Sequence, residues 1–463
     1  MKTEVILIFD IGKTNKKILL FDIGLKILHE EETVFEEIAD DDGFLGDDIE
    51  RLEKWILEAC TRYMKDDRYV LQGINFSTYG ASLMYLDEKG KRLTPVYNYL
   101  KPMPEGVLEP LYEAFGGEGE FCRNTASPAL GMLNSGFQAL WLKKMKPEIF
   151  RQVKCILHFP QYLSYLLTGK TSSEYTSIGC HTGLWDFDHM HYHPWTRQLG
   201  ATLPEPEAVE TTYASTRFDK SVPIGIGIHD SSSSLVPYFM KSQDEFILVS
   251  TGTWCISMNP FNSDPLTAQE LKKNCLSYMS IRQKPVKSSR LFLGRIHDAN
   301  VEHLTKQFGV DDSAYKTVAL NEVMIRALKQ KYQGKRVFFK GDVPDDYVDL
   351  SVGKEQFNSF EEAYHQLVMD LVDLTKESID LIIAKEDHSK NIYISGGFSK
   401  NPIFMALIAS HFPEKHVFTS EVANATSLGA ALVLWKGIDK RFNPAIDLGL
   451  QSCYGDPSLL ADY

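Results

Sequence analysis

The chain has 463 residues and a formal charge of −13, with 43% hydrophobic and 24% charged residues. This length exceeds what one hydrophobic core usually supports, so it predicts two domains. The acidic balance argues against nucleic acid or anionic membrane as a partner, and no apolar run approaches the roughly 20 residues that span a bilayer. Seven cysteines without metal-site spacing, together with no signal-peptide pattern, predict a cytoplasmic protein with reduced thiols.

The first predicted element is a pair of strands joined by a short polar turn. An apolar run over residues 5–9 ends at Asp10, and a second apolar run follows the turn, as is typical of two buried strands. Gly12 permits close approach of a ligand, while Thr14 and Asn15 offer donors to anionic oxygens. Asp10 is then well placed to hold hydrated Mg²⁺. An ordinary β-hairpin explains the same residues equally well.

Further along the chain, the apolar pattern predicts a helix, a strand and a long helical region. An amphipathic helix is expected over 47–63 and a strand over 73–77. Residues 133–167 have helical spacing, with interruptions near Pro147 and Pro160.

A second candidate carboxylate stands at a predicted strand-to-helix junction. The apolar strand 222–228 leads into His229 and Asp230, which four serines follow. Asp230 is the candidate general base, because a carboxylate that accepts a hydroxyl proton improves the nucleophile in phosphoryl transfer. Its alternative role is that of a helix N-cap. His229 either bonds a substrate hydroxyl or is a packed histidine.

An internal repeat links the two halves of the chain. Residues 245–258 repeat the opening pattern of apolar strand, polar turn with glycine and apolar strand. The repeat predicts two related domains, 1–243 and 244–463, each of which presents a phosphate-facing hairpin to a shared cleft.

A third glycine turn ends the predicted strand 391–396. The chain has no Gly-Lys-Ser/Thr loop, so a P-loop enzyme is not expected. Three glycine-containing strand ends, at Gly12, Gly252 and Gly396–Gly397, favour a nucleotide site over three unrelated turns.

The combined motifs resemble those of the FGGY carbohydrate kinases, which belong to the actin-like ATPase superfamily. Five segments match in order: the first phosphate motif, the catalytic-Asp segment, the second phosphate motif, the adenosine motif and the closing helix. In the same order, they are residues 10–15, 228–237, 250–254, 395–401 and 421–431.

The resemblance implies an α/β protein with two RNase-H-like domains flanking a central catalytic cleft that closes on MgATP and a sugar. Asp230 is then the general base, and Asp10 organises Mg²⁺. The residues implied for ATP are Gly12, Lys13, Thr14, Asn15, Thr251, Gly252, Thr253, Gly396, Gly397 and Asn401. Those implied for the sugar are Thr78, Tyr79, Gly80, Asn98, His229 and Asp230.

Within the family, His229–Asp230 and residues 250–254 resemble the L-fuculose and L-rhamnulose kinase branch. Three departures affect the expected site. Ser82 stands where that branch has a carboxylate, and residues 95–101 lack its Asp-x-Arg. Lys13 replaces a small residue or threonine and is expected to add a cation near the γ-phosphate.

The expected function is an ATP-dependent kinase that phosphorylates a hydroxyl of a ketose. The acceptor is either a 6-deoxyketohexose, such as L-fuculose or L-rhamnulose, or a ketopentose, such as xylulose or ribulose. The alternatives are a hydrolytic ATPase of the same superfamily and a kinase-like sugar sensor without turnover. A small-molecule sugar partner and a monomer or homodimer are expected.

Overall fold

The structure is a computed structural model that describes residues 2–218 and 222–460. Two seven-stranded mixed sheets, one in each half of the chain, are covered by helices. The strands of the N-terminal half are β1 Thr3–Ile11, β2 Asn15–Asp22, β3 Ile27–Val34, β4 Ile38–Ala39, β5 Leu45–Gly46, β6 Tyr69–Thr78, β7 Leu83–Leu86, β8 Cys155–His158, β9 Ser173–Glu174, β10 Trp185–Asp186, β11 His191–Tyr192, β12 Pro206–Glu207, β13 Thr212–Ala214, β14 Pro223–Gly225 and β15 Ile228–His229. Its helices are α1 Ile49–Lys65, α2 Glu109–Ala114, α3 Glu118–Asn124, α4 Ser135–Met145, α5 Pro147–Phe150, α6 Phe159–Thr168, α7 Tyr175–Ile178 and α8 Asp230–Lys241.

The C-terminal half begins its own sheet immediately after α8. Its strands are β16 Phe246–Thr251, β17 Cys255–Asn259, β18 Cys275–Met279, β19 Pro285–Leu291, β20 Asn391–Gly396, β21 His416–Ser420 and β22 Gln451–Cys453. Its helices are α9 Ala268–Lys272, α10 Leu293–Phe308, α11 Glu322–Tyr332, α12 Phe360–Asp380, α13 Pro402–His411 and α14 Ala425–Ile438. Short 3₁₀ turns lie at Gly131–Leu133, Pro194–Leu199, Ala314–Thr317, Gly397–Lys400 and Pro457–Leu459.

The predicted opening hairpin is present, with β1 antiparallel to β2 and parallel to β6. Successive side chains of β1 point to opposite faces of the sheet, and both faces are covered. Leu7 and Phe9 pack with α1 and α6, whereas Ile6 and Ile8 pack with α8 and α14. The continuous apolar run therefore reflects a strand that is buried on both sides.

The second sheet repeats the arrangement of the first. β16 is antiparallel to β17 and parallel to β20, as β1 is to β2 and β6. The repeat found in the sequence thus corresponds to two strand–hairpin–strand units, and each ends in a glycine-containing turn at the same relative position.

The helical region expected over 133–167 differs from the structure in one place. Between α5 and α6 the chain forms β8, which pairs with β7 through Met84 opposite Leu157. A four-residue apolar segment fits either a helix or a strand, and here it forms a strand because β7 is available to pair with it. The helix expected over 47–63 is confirmed as α1, and the carboxylate of Asp48 caps its first turn.

The two halves meet where α14 crosses α8. A methyl group at Gly429 would lie 2.0 Å from the carbonyl oxygen of Ser233, so the helices touch at glycine. Asn75 of β6 also donates to the carbonyl of Ala430 at 2.9 Å. Among the described helices, we find none with the length and apolar character needed to traverse a bilayer.

Candidate active site

Three parallel strands of the first sheet end at one edge and bring the two candidate carboxylates together. In the pairing register, Asp10 lies opposite Ser77, and Ser77 lies opposite Ile228 on its other side. Asp10, the last residue but one of β1, therefore lies two strands away from the place where β15 passes into α8. Ligands commonly bind at the carboxyl ends of parallel strands, where side chains and helix N-termini converge.

Asp10 is bound by hydroxyl groups from the other half of the chain. Its Oδ2 accepts hydrogen bonds from Oγ1 of Thr426 at 2.5 Å and from Oγ of Ser427 at 2.7 Å. Burial raises the pKa of Asp10, these hydroxyls oppose that rise, and the negative charge of Asp230 adds to it. The two carboxylates thus share one cleft.

Asp230 is the first residue of α8, and His229 is the N-cap residue, so the N-cap role considered for Asp230 is not the one it has. Its Oδ1 accepts from the backbone N–H of Ser231 at 2.5 Å and lies 3.1 Å from Nε2 of His229. A third of the side chain remains exposed to the cleft. Burial raises the pKa of Asp230 to about 6, which brings the carboxylate close to the range in which a general base works best.

Three of the residues expected at the sugar, Thr78, Gly80 and His229, form a wall next to Asp230. Nε2 of His229 lies 3.0 Å from Sγ of Cys180, and burial lowers the pKa of His229 to about 3, so its ring is neutral. Gly80 lies directly against this pair, because a methyl group there would come within 2.9 Å of Sγ of Cys180. Thr78 ends β6, and its hydroxyl donates to the carbonyl of Tyr79.

Tyr79 and Lys13 meet at a buried carboxylate. The Tyr79 hydroxyl donates to Oδ2 of Asp47 at 2.7 Å, and Nζ of Lys13 donates to the same oxygen at 2.8 Å. Lys13 also binds Glu37 at 2.6 Å, and Lys16 binds Asp47 at 2.9 Å. The structure therefore gives the Lys13 cation two carboxylate partners, and its charge is already compensated.

Asn98 has its side-chain amide engaged within the protein. Nδ2 donates to the carbonyl of Leu45 at 2.8 Å, and Oδ1 accepts from the backbone of Leu100 at 3.0 Å. Nearby, Lys101 forms ion pairs with Asp40 and Asp42. Residues 95–101, which depart from the family pattern, are thus held in place by contacts of Asn98 and Lys101 within the protein.

The two glycine hairpins leave polar groups exposed. In the first, the N–H of Gly12 donates to the carbonyl of Asn15 at 2.9 Å, while Thr14 and Asn15 are exposed. In the second, Gly252 and Thr253 are exposed in the same way.

Thr251 differs from its neighbours because its hydroxyl is buried. It donates to the carbonyl of Ser395 at 2.5 Å and accepts from the N–H of Phe398 at 3.1 Å. Gly396 follows with φ +90°, and a methyl group there would collide with the carbonyl of Thr251. Thr251 and Gly396 therefore fix the second hairpin to the turn after β20.

A cavity of about 450 Å³ opens beside this turn in the C-terminal half. Gly252, Thr253, Gly397 and Asn401, four of the residues expected at ATP, line it. Asn401 is held in place, because its Nδ2 donates to the hydroxyl of Tyr364 and its Oδ1 accepts from the first turn of α13.

Other lining residues of the cavity were not expected from the sequence. They include Gly294, His297, Tyr315, Lys316 and Tyr364. Of these residues, only Gly294 could have been noticed in the sequence, because it is a glycine near the start of an amphipathic helix. The others occupy positions that look like an ordinary helix face or loop.

The fold and site define a class: an α/β protein with two similar sheets, each of which presents a glycine hairpin, and with a nucleotide-sized cavity beside the second hairpin. Two family models match the chain: the N-terminal domain of the FGGY family of carbohydrate kinases over residues 5–236, and the FGGY carbohydrate kinase C-terminal domain over residues 243–441. The chain belongs to the FGGY family of carbohydrate kinases, which confirms the family, the fold class and the sugar kinase activity predicted from the sequence.

Several relatives resemble the chain over nearly its full length. A rhamnulokinase from Halalkalibacterium halodurans is 25% identical, and the match covers 93% of this chain and 92% of the relative. The structure of a carbohydrate kinase from Novosphingobium aromaticivorans superposes with a TM-score of 0.79 at 23% identity, covering 100% of this chain and 96% of that one. A ligand-bound xylulose kinase from Lactobacillus acidophilus gives a TM-score of 0.74 at 16% identity, covering 99% and 95%. At these identities, the two solved structures show a common fold.

Proposed function

We propose that this sugar kinase transfers the γ-phosphate of MgATP to a hydroxyl of a ketose, with Asp230 as the general base. One observation carries the proposal: Asp230 is a cleft-facing carboxylate with a raised pKa, and it lies within electrostatic reach of Asp10 at the same sheet edge. A base near neutrality beside a phosphate site is suited to proton removal from an alcohol.

In this proposal, ATP occupies the cavity of the C-terminal half and its phosphates meet both hairpins. Gly252 and Thr253 belong to the cavity and also to the second hairpin, so one segment serves the adenosine side and the phosphate side. Backbone N–H groups of glycine turns are good donors to phosphate oxygens.

Asp10 fits the role of a magnesium ligand. Mg²⁺ prefers carboxylate oxygens and retains several waters, and Asp10 offers a carboxylate with the hydroxyls of Thr426 and Ser427 beside it. Burial and the charge of Asp230 raise the pKa of Asp10, and a bound cation would oppose both effects. When bound, the ion neutralises charge on the phosphates.

Asp230 and His229 have separate roles at the attacking hydroxyl. Asp230 accepts the proton of the attacking hydroxyl, and neutral His229 beside it offers a hydrogen-bonding ring without competing for that proton. Approach of the two halves excludes water, which otherwise competes as the phosphoryl acceptor.

For the acceptor, we propose a 6-deoxyketohexose such as L-rhamnulose first, and a ketopentose second. The rhamnulokinase relative supports the first class through full-length similarity, and the xylulose kinase structure supports the second through fold alone. We also propose a division into domains at residues 243 and 244, between the end of α8 at Lys241 and the start of β16 at Phe246.

The test is ADP release with L-rhamnulose, L-fuculose, ribulose, xylulose and D-tagatose, for the wild type and Asp230→Asn. We expect the variant to lose turnover by about three orders of magnitude or more while ADP still binds. Asp244→Asn, which alters an exposed carboxylate just beyond α8, is the matched control and keeps activity.

Two outcomes would favour the rival functions. ATP hydrolysis that is fast and indifferent to every sugar would indicate a hydrolytic ATPase. A sugar-dependent thermal shift without ADP formation would indicate a sensor. Retained turnover in Asp230→Asn would refute the base assignment.

A further inference from the structure

Arg290 occupies an unusual place on the second sheet. In β19, Val286, Ser288 and Arg290 share one face, and Arg290 pairs with Ile256 of β17. The cross-strand partners on this face are Met258, Leu276 and Tyr278. With Val286, these three side chains form part of the apolar core that packs against α8 of the N-terminal half. Arg290 is thus a cation at the cleft end of an apolar interface between the halves.

The guanidinium of Arg290 has no carboxylate partner among residues 2–218 and 222–460. No Asp or Glu in that part of the chain lies within 4.0 Å of it, and its Nε is buried without an acceptor. The cations of the first hairpin differ, because Lys13, Lys16 and Lys17 each have a carboxylate partner. A partly buried charge is costly unless it is paired, so a ligand is the natural partner for Arg290.

Its neighbours are the residues that surround Asp230. Burial, together with the charge of Arg290, lowers the pKa of His181 to about 3. Burial raises the pKa of Tyr278, where the charge of Arg290 opposes the effect and that of Asp230 adds to it. The Tyr278 ring lies 5.9 Å from the His229 ring and 6.3 Å from the His181 ring. Tyr278 therefore lies beside the His229–Asp230 pair and on the same sheet face as Arg290.

Arg290 also lies next to the second glycine hairpin. Its strand partner Ile256 is two residues beyond Trp254, and the guanidinium carbon is 6.0 Å from the Trp254 ring. A cation beside the second hairpin is close to the place where the proposed function puts the phosphates.

We propose that Arg290 binds an anionic oxygen group between the second hairpin and Asp230, and that this group is the phosphoryl being transferred. This inference rests on the proposed function. In the step, the bond from the γ-phosphorus to the bridging oxygen of ADP breaks, a bond to the sugar oxygen forms, and the hydroxyl proton passes to Asp230. The planar guanidinium forms two parallel hydrogen bonds to phosphoryl oxygens and stabilises their charge.

The test compares Arg290→Gln and Arg290→Lys with the wild type. We expect Arg290→Gln to lower kcat about 100-fold or more with little change in the KM of the sugar, and Arg290→Lys to recover part of the loss. Arg282→Gln removes a cation from the opposite end of the same β18–β19 hairpin, where it lies over Phe239, and is expected to keep kcat within about twofold.

A carboxylate on the acceptor sugar is the other source of such an anion, and the acceptor screen distinguishes the two. If the wild type phosphorylates sugar acids and Arg290→Gln loses only those acceptors, the anion site stands and its occupant is the carboxylate. Unchanged kcat and KM in Arg290→Gln for every acceptor would overturn the inference.

A binding measurement separates failure of this inference from failure of the proposed function. With ADP present, inorganic phosphate is expected to raise the melting temperature of the wild type but not that of Arg290→Gln, while ADP alone stabilises both. If the wild type shows no sugar-dependent ADP release yet this difference persists, the proposed function fails and the anion site stands. If phosphate stabilises both proteins equally, Arg290 is not its ligand.

Discussion

Ser427 donates a hydrogen bond of 2.7 Å to the carboxylate of Asp10, although the two residues are 417 positions apart in the chain. One stands at the end of β1 in the N-terminal half and the other in the first turn of α14 in the C-terminal half. The proposed magnesium ligand is therefore oriented from across the molecule, and any movement of one half against the other changes its surroundings.

The first prediction concerns this hydrogen bond. Ser427→Ala removes one of the hydroxyls that lower the pKa of Asp10, so the carboxylate becomes harder to ionise and less well oriented. A hydrogen bond to a charged group contributes about 1.5–3 kcal/mol. We expect the Mg²⁺ concentration for half-maximal activity to rise about tenfold, measured by magnesium titration at saturating sugar.

Ser410→Ala is the matched control, since the Ser410 hydroxyl donates only to a carbonyl of its own helix, α13. It is expected to leave the magnesium titration unchanged. A Ser427→Ala titration that superposes on the wild type would argue against Asp10 as the metal ligand.

The second prediction is a pH profile. Burial raises the pKa of Asp230 to about 6, and a general base works only when ionised. We expect kcat/KM for the sugar to be level above about pH 7 and to fall about tenfold per pH unit well below 6. Tryptophan fluorescence at each pH checks that the protein remains folded, and a profile that stays level to pH 5 contradicts the assignment.

The third prediction tests the wall next to Asp230, where we propose that the sugar binds. Gly80→Ala places a methyl group 2.9 Å from Sγ of Cys180 and 3.1 Å from Nε2 of His229, so the His229 ring must move. We expect the KM of the sugar to rise about tenfold, with the KM of ATP unchanged, in initial-rate kinetics. Gly119→Ala, in α3 with no atom within 4 Å of the new methyl group, is the control. An equal rise in both KM values would indicate a general disturbance.

Sequence patterns predict best those parts of the fold and the site that are formed by residues close together in the chain. A strand, a glycine turn and a second strand lie within one short segment, so both hairpins could be predicted, as could Gly397 and Asn401, which line the cavity of the C-terminal half. His297 and Tyr364 line the same cavity from α10 and α12, and only tertiary packing brings those helices to it. Their spacing predicts a helix without indicating which neighbours each face of that helix contacts.

Long-range partners also determine how the predicted site residues are engaged within the protein. Lys13 is expected to add a cation near the γ-phosphate, and in the structure Glu37 and Asp47 bind that cation from distant positions in the chain. In the same way, the side-chain amide of Asn98 donates a hydrogen bond to the carbonyl of Leu45. The sequence identifies the chemical group that a residue carries, whereas the fold determines which other residue binds that group.

The last prediction concerns stability at Asp370 in α12. Burial raises the pKa of Asp370 to about 7, although the backbone N–H groups of Val337 and Phe338 and the side chain of Gln366 donate to it. Because the pKa is higher in the folded than in the unfolded chain, the group favours folding at acid pH, and this contribution is lost as pH rises from about 4 to about 7. At pH 8 a buried charge remains and opposes folding.

Asp370→Asn keeps the acceptor for both backbone N–H groups and removes the charge. Its new N–H₂ group has a partner in Oε1 of Gln366, which is buried without a hydrogen bond, once that amide turns over. We therefore expect the melting temperature of the variant, relative to wild type, to be higher at pH 8 than at pH 5 by a few degrees in thermal unfolding. Asp380→Asn, at the exposed end of the same helix, is expected to show no such difference between the two pH values. An Asp370→Asn effect of equal size at both pH values would show that the carboxylate is already ionised at pH 5, and that its three donors outweigh its burial.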